Sequence, residues 1–106
     1  MYSNEFNMET IKVIFKKDEG EIVAIFPYMR ANDRFDFTPL ATCYAHIGQH
    51  SACSYDYGTG LPTATESEYR NLLSELQMVY GKNVRFQILQ RLPARRFIWN
   101  ALKHSK

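Results

Sequence analysis

The chain has 106 residues, is 45% hydrophobic and 23% charged, and carries 13 basic against 11 acidic side chains for a net charge of +2. A chain of that size makes one domain that buries roughly two-thirds of its unfolded surface. Its composition excludes disorder, and no apolar run approaches the ~20 residues of a membrane span. The expectation is a single domain over 1–106, with the polar residues 1–9 loosely held. The opening residues show no basic and apolar leader, and Cys43 and Cys53 are too few for a disulfide framework. A cytoplasmic, reduced setting is therefore expected.

Ile11, Val13 and Phe15 alternate with Lys12, Ile14 and Lys16, the period-2 pattern of a half-buried strand. Asp18-Glu19-Gly20 is a turn signal, and residues 21–26 read as the returning strand of a hairpin that Pro27 ends or confines to a sheet edge. Residues 28–39 read as an ordered loop and residues 40–47 as a third strand. Residues 48–54 form a short fourth strand or loop, and the stretch Tyr55-Asp56-Tyr57-Gly58-Thr59-Gly60 reads as loop.

A helix over 65–80 is the clearest element. Thr65 and Glu68 stand at capping-box spacing, and Tyr69, Leu72, Leu73, Leu76, Val79 and Tyr80 recur on one stripe. Gly81 occupies the place of a left-handed cap residue. Val84, Phe86 and Ile88 then alternate as a further strand, and Pro93 opens a short C-terminal helix to Leu102. The order predicts an α+β domain. Its antiparallel sheet has four or five strands, with the main helix packed on one face and a short C-terminal helix. Val13, Phe15, Val23, Ile25, Tyr69, Leu72, Leu76, Val79, Phe86 and Ile88 are the expected core.

Charge is unevenly spread. Residues 1–81 hold 6 basic and 11 acidic side chains, net −5, whereas residues 82–106 hold seven basic and no acidic ones. Arg85, Arg91, Arg95, Arg96 and Lys103, beside Phe97 and Trp99, have the composition of a nucleic-acid-binding surface. The plainer alternative is a C-terminal helix that buries Phe97, Ile98 and Leu102 against the domain or a second copy of it, its arginines facing Glu66, Glu68 or Glu75. A membrane role ranks last, because the helix is short.

Reactive side chains concentrate between Cys43 and Cys53. Cys43, His46, His50 and Cys53 number enough ligands for one tetrahedral zinc, but on a strand Cys43 and His46 point to opposite faces and Gly48 disfavours a helix, so neither metal nor cofactor is expected. An enzyme would use His46 or His50 as base, with Ser51, Cys53 or Tyr55 nearby and Asp56 or Asp36 orienting the imidazole. That set is incomplete on its face, and an enzyme is the less favoured class. Tyr44, His46, Gln49, His50, Tyr55 and Tyr57 could instead line a ligand groove, against the plain alternative of packing at a sheet margin. Gly58-Thr59-Gly60 lacks the Gly-Lys-Ser/Thr ending of a phosphate loop.

The stretch His46-Ile47-Gly48-Gln49-His50-Ser51, together with Pro62-Thr63-Ala64-Thr65-Glu66-Ser67-Glu68-Tyr69 and the Leu72–Leu76 segment, resembles a family of small uncharacterised proteins of Bacteroidetes, their mobile elements and phages. The likeness extends over about residues 11–91. It implies a bacterial or phage intracellular protein and brings no assigned activity. Cys43, Cys53, the polar start and the arginine-rich finish depart from that pattern. These readings lead to a small non-catalytic binding or accessory protein, its ligand or protein partner unspecified and self-association open. The alternatives are a His-dependent hydrolase or nuclease-like enzyme and a nucleic-acid-binding protein working through the basic C-terminal segment.

Overall fold

A computed structural model describes residues 8–30, 41–45, 49–53 and 55–92. The element order is β1 (Glu9–Asp18), β2 (Glu21–Arg30), β3 (Ala41–Ala45), β4 (Gln49–Cys53), α1 (Tyr55–Thr59), α2 (Glu66–Tyr80) and β5 (Val84–Ile88). The class is α+β, with five strands in one sheet ordered β4-β3-β2-β1-β5. The C-terminal helix expected over Pro93–Leu102 lies outside the described residues, as do residues 1–7 and most of the expected loop at 28–39.

The hairpin turns on two residues, with Asp18 paired to Glu21 and positive φ at both Glu19 (53°) and Gly20 (88°). That combination belongs to the tight turn whose twist matches the flanking strands, and Glu19 occupies it without glycine's freedom. Pro27 does not end the strand as expected. β2 continues to Arg30, and its pairing with β3 shifts register between Phe26 and Arg30, so a bulge absorbs the residue that has no N–H to give.

The sheet is mixed, which corrects the antiparallel expectation: β5 runs parallel to β1, with Glu9 opposite Val84 and Val13 opposite Ile88. The helix dictates this direction. Lys17, near the end of β1, pairs with Glu68 in the first turn of α2 at 3.1 Å. The Glu9 N–H, at the start of β1, donates to Asn83 O just beyond the far end of α2. Thus α2 runs back along β1 and delivers the chain to its beginning, and a strand starting there must travel the same way. Where β5 stops, the segment before α2 takes over the same edge, Ala64 N–H donating to Phe15 O and Lys17 N–H to Pro62 O, each at 2.9 Å.

Both faces of the sheet carry a core. On the first, Val13, Phe15, Ala24, Phe26 and Tyr44 are buried with Leu72 and Leu76 of α2, and Tyr69 stacks on Phe15 with centroids 4.4 Å apart. Tyr69, Phe86 and Ile88 are half-buried against this cluster. Val79, expected inside, is 54% exposed. On the second face Ile14, Val23, Ile25, Cys43 and Cys53 are buried, with Tyr57, Leu89 and Leu92 packed against them. The segment read as loop at 55–60 is here the short helix α1, and it seats Gly58 so closely that a Cβ there would stand 2.9 Å from Leu92 Cδ1. No helix among the described residues is long and apolar enough to cross a membrane.

The ends of α2 follow their sequence signals with one change of detail, at Gly81. Thr65 N–H donates to Glu68 Oε1 at 2.8 Å, the carboxylate half of the capping box, and this bond with the Lys17 ammonium holds the Glu68 carboxyl below its usual range. Gly81 has φ 88° and ψ 177°, the extended mirror region, which essentially only glycine enters, in place of the left-handed helical one. The Gln77 amide then donates to Gly81 O and Val84 O at 3.0 and 2.8 Å, which ties the helix end to the start of β5.

Candidate functional site

The residues expected to line one groove do not come together. Tyr44 lies in the first-face cluster, 2% exposed, and its hydroxyl donates to Glu75 Oε2 at 2.5 Å. That bond, with burial, raises the Tyr44 phenol above its ordinary value. Tyr57 packs on the second face, and its hydroxyl donates to Asp18 Oδ2 at 2.7 Å. Burial first, and then that carboxylate, push the Tyr57 phenol up. The sheet therefore stands between the two tyrosines, and each hydroxyl is committed to a carboxylate of the fold.

Gln49, His50 and Ser51 hold β4 positions, His50 opposite Tyr44 and Ser51 opposite Cys43. Tyr55 and Asp56 open α1. Residues 46 and 36 lie outside the described residues, so the proposed base His46 and orienting Asp36 have no place in the geometry.

Of the zinc set, the structure brings together the two thiols. Cys43 faces Ser51 and Cys53 faces Ala41 across the β3–β4 ladder, so both cysteines point to the second face as diagonal neighbours. Both are free and buried. Their mutual hydrogen bond, then burial, drive the Cys53 thiol well above its ordinary value, so the nucleophilic thiolate is suppressed near neutral pH. Among the described residues no three His, Cys, Asp or Glu side chains gather closely enough to hold a metal ion.

Sequence alternation missed Lys16. Its position assigns it to a wet face, but α1 and the segment beyond it cover that face, and Lys16 is 6% exposed. The ammonium donates to Leu61 O at 3.0 Å and Thr63 Oγ1 at 3.2 Å, and burial lowers its pKa. Its work is structural, since those acceptors lie on the segment that extends the sheet before α2. Among the described residues no buried side-chain nitrogen or oxygen lacks a hydrogen-bond partner, so the described interior offers no orphan group to an incoming ligand.

The surface is different. The second face is sealed only over its hairpin half; toward the start of β1 it lies open. Thr10 pairs with Arg85 and Lys12 with Gln87 across the parallel ladder, and all four side chains are exposed on that face. Lys12 Nζ sits 5.1 Å from the centroid of Tyr28, itself 36% exposed. Arg91 is exposed three residues beyond β5. Neither Arg85 nor Arg91 has an ion pair among the described residues; of the three expected carboxylates, Glu68 is engaged by Lys17 and Glu75 by Tyr44. Arg95, Arg96 and Lys103 lie outside the described residues. Acidic Asp18, Glu19 and Glu21 lie at the opposite, hairpin end, beside Lys16 and Lys17.

No protein-family model matches this chain, and no curated protein or solved structure matches it.

Proposed function

We propose that the chain is a small non-catalytic binding protein that holds an anionic ligand or partner on the open, cationic half of the second sheet face. The carrying observation is that one face is treated in two ways. Over Ile14, Val23 and Ile25 it is closed by α1, while Thr10, Lys12, Arg85 and Gln87 are exposed, and neither Lys12 nor Arg85 has an ion pair among the described residues. Exposed positive side chains on one sheet raise the local concentration of anions and orient them. A binding role also agrees with the suppressed thiol of Cys53 and with phenols committed to Glu75 and Asp18.

Heparin, a polyanion without bases, is the direct probe. The Lys12→Ala/Arg85→Ala protein should elute from immobilised heparin at clearly lower salt than wild type. A Lys17→Ala/Arg70→Ala protein, with the same change in net charge made elsewhere, should stay near the wild-type position. Equal elution of the two double variants would refute a localised site.

A further inference from the structure

Beside the cations lies a hollow of about 240 Å³ lined by Thr10, Ile11, Lys12, Phe26, Tyr28 and Met29. It is smaller than the ~300–1,000 Å³ clefts that engulf a drug-sized molecule, so its scale is that of one planar ring and its attached sugar. Its chemistry is graded. Ile11 and Phe26 close it from below but belong to the buried first-face core, and the half-buried Met29 is an adaptable side chain. The Thr10 hydroxyl and the Lys12 ammonium supply polar groups at the rim, and Tyr28 supplies an exposed aromatic wall. Arg85 stands next to Thr10 on the neighbouring strand.

We infer that the ligand of this face is a single-stranded nucleic acid, one base entering the hollow against Tyr28 while the flanking phosphates lie on Lys12 and Arg85. The inference rests on the anion-binding reading above and specifies its ligand. A polyanion without bases would use the cations and leave the exposed tyrosine idle. A duplex presents the phosphates, but its bases are stacked and paired and cannot enter. A free mononucleotide fits the hollow but spans fewer cations. Only an unpaired strand engages the ring and both charges together. Lys12 already rests on the Tyr28 ring, and an arriving base exchanges that cation–π contact for stacking while the freed ammonium takes a phosphate. The combination of a basic track with an aromatic platform binds single strands with little sequence preference.

Fluorescence anisotropy on the full chain tests this with labelled oligothymidylate and oligouridylate of about 12 nucleotides, within the span of single-strand sites. The other arms are a duplex of the same length, adenosine monophosphate and heparin. The expected order is single strand tightest, with duplex and mononucleotide weaker. Tyr28→Ala should weaken single-strand binding by roughly 5- to 150-fold, the range of one lost base stack, and Tyr28→Phe should retain it. Heparin binding should be unchanged by either variant, which also reports that the fold is intact. With two phosphates neutralised, the log–log salt slope should lie near −1.4, from about 0.7 per contact, and fall towards zero in Lys12→Ala/Arg85→Ala. Duplex and single strand bound equally, or Tyr28→Ala binding like wild type, would overturn the inference and leave the anion-binding reading in place. Failure of both heparin and every oligonucleotide to bind removes both.

Discussion

Leu76 is fully buried in the first-face cluster, among Val13, Phe15 and Phe26 of the sheet and Leu72 of its own helix. Leu76→Ala removes three carbons, about 2.4 kcal/mol at ~0.8 kcal/mol each. The floor beneath it is sheet, which cannot collapse inward, so a void of about 50 Å³ should remain and add about 1.2 kcal/mol at ~24 cal/mol per Å³. The expected loss is about 3.6 kcal/mol, a large share of the ~5–15 kcal/mol that holds a domain together. The informative comparison is Val79→Ala. Both residues belong to the apolar repeat of α2, but Val79 sits roughly 80° from the centre of the stripe formed by Tyr69, Leu72, Leu73, Leu76 and Tyr80, at 100° per residue. It is 54% exposed, and its truncation should cost at most about 0.5 kcal/mol. Urea unfolding of the two variants beside wild type, with unchanged m-values, measures both. Equal losses, or a loss below about 1 kcal/mol for Leu76→Ala, would mean that α2 presents a different side to the sheet.

Gly81→Ala should destabilise by about 1–3 kcal/mol through backbone strain alone, because φ is 88° and no atom lies within 4 Å of the added carbon. Thermal melts should show the loss in full, and a neutral variant would mean that this linker relaxes. Glu19→Asn should raise stability by about 0.5–1 kcal/mol in chemical denaturation, since Asn tolerates the positive φ of 53° that Glu19 adopts; a drop would refute the turn geometry. Cys53, Tyr44, Tyr57 and Tyr80 all have folded-state pKa values raised above their ordinary ones. The stability they contribute is whole below the unfolded values of 9.0 for the thiol and 10.0 for the phenols, and is lost as pH rises beyond them. Denaturation midpoints should therefore fall above about pH 9, less steeply in Tyr57→Phe, whereas an identical alkaline slope in that variant would refute the role of its buried hydroxyl.

The α+β class was legible because period-2 alternation at 11–16 and the period of α2 are strong local signals. The strand direction at β5 was not, since it depends on where α2 delivers the chain, a long-range property tied to Lys17–Glu68 and Glu9–Asn83. Ile14 and Lys16 were read as facing water because alternation assumes one covered face; α1, Leu89 and Leu92 cover the other. Pro27 misled because the register shift between Phe26 and Arg30 lets the strand continue past it. The histidine segment drew attention by density of reactive groups, yet proximity along a strand alternates faces, and Tyr44 and Tyr57 ended on opposite sides of the sheet. Of the surface advanced here, the sequence pointed to Arg85 through the charge split. Lys12 and Thr10 carried no signal, because only the β1–β5 pairing places them beside it.

Backbone amide shifts of the isotopically labelled chain, followed while unlabelled oligothymidylate is added, test the central claim most directly. The largest changes should fall together on residues 10–12, 28–29 and 85–87, with the hairpin tip at 18–21 and the solvent side of α2 at Arg70, Asn71 and Ser74 unmoved. Changes centred on either of those regions, or no changes at all at low salt, would contradict the assignment of the open sheet face as the binding surface.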